Sequence, residues 1–111
     1  MGGDAFKKLL KNSKECLTRE QKRKLKKIKD DKERLVSLKY ILVSQLKLKY
    51  LEIDSFLHKK KKIVNKLDLS TKSKLHSLPH KITYLNEHFK EKDFKKIFSL
   101  LEEIERDIQD V

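Results

Sequence analysis

Apolar side chains recur along this chain at the spacing of helices. Phe6, Leu9 and Leu10 share one face while Lys7, Lys8, Lys11 and Lys14 fall on the other, which predicts a short helix from Asp4 to about Cys16 with its lysines outward. In "TREQ", Thr18 is placed to cap a second helix beginning at Arg19. Gln21, three residues on, can reach back to the cap's own backbone N–H, completing a capping box. No clear stop signal follows before about Leu67. One heptad row holds Ile28, Leu35, Leu42, Lys49, Phe56 and Ile63, and a flanking row holds Leu25, Leu46, Ile53 and Leu67. A continuous helix over that span would be about 70 Å long. A kink or break near Asp30 and Asp31, or near Asp54 and Ser55, is as well supported as continuity. Positions three after the main row are Asp31, Leu38, Gln45, Glu52 and Lys59, of which only Leu38 is apolar, so the pattern argues for bundle packing over a coiled coil.

The middle stretch "RLVSLKYILVSQLKLKYLEIDSFL" is apolar on more than one face, the mark of a buried helix. Within it "LKLKYLEI" alternates as a half-buried strand does, but no second segment offers such a strand a partner. "DLSTKSKLHSLPH" then reads as a polar break. Ser77 and Pro79 suit the start of a helix from about Leu78 to Lys90, with Ile82, Leu85 and Phe89 inward. Phe94, Ile97, Phe98, Leu101, Ile104 and Ile108 mark a last helix, for which Asp93 is the expected cap. The expectation is an all-α fold: a small helical bundle of three to five helices with one long central helix. It reads as a single helical domain over 1–111, with a basic part (1–65), a polar connection (68–79) and a C-terminal helical hairpin (80–110).

Composition agrees with this reading. The only glycines are Gly2 and Gly3 and the only proline is Pro79, so helix breakers are almost absent. With 37% apolar and 41% charged residues, the chain is expected to fold around a thin core. "YILV", the most apolar stretch, falls far short of the roughly 20 residues of a membrane span. A lone cysteine, Cys16, cannot form an internal disulfide, and no segment resembles the apolar part of a signal peptide. The expected setting is intracellular: cytoplasm, nucleoid or nucleus.

Charge is distributed unevenly, and this directs the functional reading. Residues 1–65 hold 20 Lys and Arg against 8 Asp and Glu, whereas residues 66–111 hold 9 of each. "REQKRKLKKIK" at 19–29 is the densest basic run. On a helix Lys22, Lys26 and Lys29 would form one ridge, with Arg23 and Lys27 on the next and Arg19 at the start. A second cluster is Lys59, Lys60, Lys61 and Lys62, two of which would lie near the packed side of a continuous helix. Such rows can neutralise phosphates and release condensed counterions, giving affinity for DNA or RNA without sequence readout. With 25 lysines against four arginines, few guanidinium groups are available to read guanine, so sequence preference should be weak. Tyr40 and Tyr50 sit in the apolar stretch and are assigned to the core.

Catalytic, metal and cofactor chemistry finds no foothold. No glycine lies between Asp4 and Val111 to form a phosphate loop, and nothing marks a base for Cys16. His76 and His80 are four apart with Pro79 between them, and are read as solvated. Glu102, Glu103 and Glu105 belong to the solvent side of the last helix. The sequence therefore points to a non-catalytic, nucleic-acid-associated accessory factor without cofactor. The alternative is a helical protein-interaction or assembly subunit, docked on a protein partner or a second copy and making no direct nucleic-acid contact. Anionic membrane surfaces come last, since 19–34 lacks large interfacial aromatics.

Overall fold

Polar side chains at helix ends cut the long apolar segment into pieces. The computed structural model describes the backbone of residues 2–109 and the side chains of residues 5–109. Helix α1 (Gly2–Ser13) passes into a short 3-10 turn (Lys14–Cys16). Helix α2 (Arg19–Lys27) opens with the expected capping box: the Gln21 N–H donates to Thr18 Oγ1 at 3.1 Å, and the Thr18 N–H to Gln21 Oε1 at 3.0 Å. Ile28 is extended and ends α2. Asp30 then starts α3 (Asp31–Lys59), its carboxylate accepting the Lys32 N–H at 3.1 Å and its carbonyl the Arg34 N–H at 2.9 Å. The Arg34 guanidinium donates back to the Ile28 carbonyl across this link. A break thus falls beside Asp31, whereas Asp54 and Ser55 lie inside an uninterrupted helix. A second break comes at Lys60, before α4 (Lys61–Lys66).

Helix α5 (Leu69–Glu87) corrects the expected connection at 68–79. Asp68 caps it by accepting the Thr71 N–H at 2.8 Å, so the helix begins about nine residues earlier than Pro79 suggests. Pro79 lies in the helix interior, where it removes one backbone bond. The helix continues because Leu78, Ile82 and Leu85 are buried on both sides of the proline. Replacing Pro79 by Ala is therefore expected to stabilise the protein by about 1–3 kcal/mol, read from urea unfolding. The last helix, α6 (Glu91–Gln109), starts ahead of its expected cap: the Lys90 carbonyl takes the Phe94 N–H at 3.0 Å, and Asp93 sits in the first turn. The fold is all-α, with six α-helices among the described residues against the expected three to five, and one long helix, α3, in the middle of the chain.

Hydrogen bonds from Thr71, its backbone N–H first, hold the Asp68 carboxyl below the ordinary Asp value of 3.8. A depressed folded pKa gives stability that is present above the unfolded value and is lost as pH falls through the folded one. Asp68→Ala should therefore lower the unfolding midpoint at neutral pH, and the gap to the parent protein should narrow below about pH 4.

The length of the chain suggests one domain over 1–111; by its internal contacts it divides into two compact units, Met1–Gln45 and Leu46–Val111. In the first unit Phe6, Leu9, Leu17, Leu25, Leu38 and Leu42 are buried. Gln45 on α3 donates to Gln21 on α2 at 3.0 Å, and the Arg34 guanidinium lies 5.9 Å from the centre of the Phe6 ring. In the second unit, α5 and α6 form an antiparallel hairpin. Thr71 Oγ1 donates to Asp107 at 3.1 Å and Lys74 pairs with Glu103 at 3.4 Å. Lys49, on the later part of α3, lies 3.6 Å from Glu105 and 4.7 Å from the centre of the Phe98 ring.

The flanking row of the sequence pattern is buried throughout, whereas of the main heptad row only Leu42 is. Leu25, Leu46, Ile53 and Leu67 are all buried, while Ile28, Leu35 and Ile63 are half-buried and Phe56 is exposed. Two helix breaks reset the register, and an α-helix drifts from a seven-residue repeat even without them. Nor is the middle stretch buried on all sides: Val36, Tyr40, Leu48 and Leu51 on α3 are exposed. Among the described residues no helix is long and apolar enough to cross a membrane.

Candidate nucleic-acid interface

Helix α1 turns Phe6 and Leu9 inward, and the same periodicity leaves Lys7 and Lys11 exposed, with Lys14 in the turn that follows. Helix α2 is anchored by Leu25, which is 1% exposed, and presents Lys22 and Lys26 one helical turn apart. These five lysines line a cleft of about 300 Å³ between α1 and α2, together with Phe6, Leu10 and Leu25. Among the described side chains, no acidic one contributes to its lining. Ion pairs among the described side chains include Arg34–Asp31, Lys49–Glu105, His58–Asp54 and Lys74–Glu103, and none of these pairs involves one of the five lysines. The surrounding unit, Met1–Gln45, holds 14 Lys and Arg against 6 Asp and Glu. Apolar at its base and cationic at its rim, the cleft suits an anion that carries an apolar or planar body.

Of the residues singled out from sequence, Lys22 and Lys26 enter this cleft. Arg19, Arg23 and Lys27 also lie on α2 and are exposed, outside the cleft lining. Lys29 does not extend the ridge, because α2 ends at Lys27 and Ile28 is extended. The second cluster belongs to the other unit: Lys59 ends α3, Lys60 occupies the break, and Lys61 and Lys62 open α4. All four are exposed, and none lies near the packed side, because the break at Lys60 interrupts the helix that would have turned two of them inward. Lys7, Lys11 and Lys14 were the missed members. Their shared spacing was visible on the first helix, but only the packing of α1 beside α2 makes them face Lys22 and Lys26.

Tyr40, assigned to the core, is 69% exposed, since the buried side of α3 is carried by Leu38, Leu42 and Val43. Tyr50 is half-buried, and its phenol is pushed above the ordinary value by burial first and by the Asp54 carboxylate second. His76 and His80 lie on one continuous helix and are both exposed. Among the described residues no three His, Cys, Asp or Glu side chains gather as a metal-ligand set. A further groove, of about 530 Å³, runs between α5 and α6, with Tyr84, Leu85, Ile97 and Leu100 as its apolar part and Lys81 and Lys96 among its polar residues.

Fold and site together define an all-α helical bundle with a lysine-rimmed cleft. No protein-family model matches the chain, and neither a curated protein nor a solved structure does.

Proposed function

We propose that this protein is a non-catalytic, nucleic-acid-associated accessory factor that acts inside the cell and holds phosphate backbones through the α1/α2 lysine cleft and the exposed cations of α2. One observation carries the reading: five lysines from two segments converge on one cleft, with no acidic residue among the described side chains of its lining. Cations gathered at one cleft favour a polyphosphate strand, which binds them with release of its counterions. Lys59, Lys60, Lys61 and Lys62 offer the second unit an additional contact of the same kind. With lysine as the dominant donor, binding tracks phosphate more than base identity.

The test is fluorescence anisotropy of a labelled oligonucleotide across a salt series. Contact with about six phosphates predicts a fall in affinity of about a thousandfold between roughly 50 and 200 mM salt. Binding insensitive to salt, or none detectable at the lower concentration, contradicts the proposal.

A second reading, a helical protein-interaction or assembly subunit, draws on the α5/α6 groove. Tyr84 is 56% exposed there, and Lys81 and Lys96 outnumber the one carboxylate of the lining, Asp93, a combination that suits an amphipathic helix of net negative charge. Under that reading an acidic protein partner, not nucleic acid, would be recovered with the chain.

A further inference from the structure

Ridges of lysine on a convex surface can bind a duplex or a single strand alike, because both present phosphates. A cleft with an apolar base discriminates between them. We infer that the α1/α2 cleft receives one unstacked nucleobase against Leu10 and the lysine stems while the ammonium groups hold the phosphates on either side, so that the protein prefers single-stranded nucleic acid to duplex. This rests on the nucleic-acid reading and adds the strandedness of the ligand.

Three features of the cleft support it. Its volume, about 300 Å³, is too small to admit a duplex but leaves room for a planar heterocycle. At its base, Phe6 and Leu25 are buried, while Leu10 is half-buried and offers a partly accessible aliphatic surface. The lysines stand on both flanks, Lys7, Lys11 and Lys14 on one and Lys22 and Lys26 on the other, so that a strand crossing the cleft meets charge before and after the enclosed base. Lysine stems add apolar contact below their charged ends. A paired base inside a duplex has both faces covered by its neighbours and gains nothing from such a surface. A base in a flexible single strand is free to turn into it.

The floor is aliphatic, and the Phe6 ring beneath it is already faced by the Arg34 guanidinium at 5.9 Å. The gain from the base therefore belongs at the lower end of the range for base stacking, about five- to tenfold in affinity.

The experiment compares three fluorescein-labelled probes of about twelve nucleotides at one low salt concentration: oligothymidylate, an abasic strand with the same phosphates, and a duplex. The expected result is that oligothymidylate binds about five- to tenfold more tightly than the abasic strand and also outcompetes the duplex. Leu10→Ser should bring the ratio of oligothymidylate to abasic affinity towards one, and circular dichroism of the variant verifies that it remains helical. Equal, salt-sensitive binding of all three probes overturns the inference and leaves the phosphate reading standing. No binding of any probe overturns both.

Discussion

Replacing Lys11, Lys22 and Lys26 together by Glu is expected to weaken polyanion binding at least about a hundredfold at low salt, and to reduce the slope of log affinity against log salt by about three. On the proposed function, each substitution removes one phosphate contact and puts a like charge where a phosphate would sit. Lys11 and Lys26 are exposed and Lys22 is half-buried, so the helices should survive the change. Lys47, Lys92 and Lys95 are exposed lysines outside the cleft and provide the control. Reversing them alters net charge by the same amount, yet should weaken binding far less. Equal losses in the two triple variants would mean that overall charge governs the interaction, and the cleft would have no special role.

The largest stability effect is expected in the core of the second unit. Leu101 on α6 is fully buried, and Leu101→Ala should cost about 2–5 kcal/mol in chemical denaturation, the lost transfer energy plus that of the cavity left behind. Leu48 on α3 is the same residue type at 56% exposure, and Leu48→Ala should stay within about 0.5 kcal/mol of the parent. Similar costs at the two positions would mean that the exposed side of α3 is covered by something in solution.

These predictions also mark how far the sequence reaches. Short-range signals were legible: the Thr18–Gln21 capping box is present as read, because both partners lie within one helical turn and need no tertiary context. The inward faces of α1 and α6 were legible for the same reason, a stripe such as Phe94, Ile97, Leu101, Ile104 and Ile108, although Leu10 and Phe98, also expected inward, lie at its edge and are half-buried. Pro79 misled because proline is a strong local stop signal, while the buried neighbours that keep α5 helical around it are a tertiary effect. The long middle segment misled because a stretch apolar on several sides does not say which side will be covered. Val36 and Tyr40 are exposed only because Leu38 and Leu42 face the core.

The candidate site divides along the same line. Lys22 and Lys26 could be found from the density of charge in one helix. Lys7, Lys11 and Lys14 could not be joined to them, since that pairing depends on the packing of two helices separated by a turn and a cap.

The measurement that bears most directly on the account is lysine footprinting. The protein is acetylated with and without a saturating oligonucleotide, and protection is read residue by residue by mass spectrometry. The account predicts strong protection at Lys7, Lys11, Lys14, Lys22 and Lys26, with little change at Lys47, Lys92 and Lys95. Protection spread evenly over all exposed lysines, or concentrated outside the α1/α2 cleft, would contradict it.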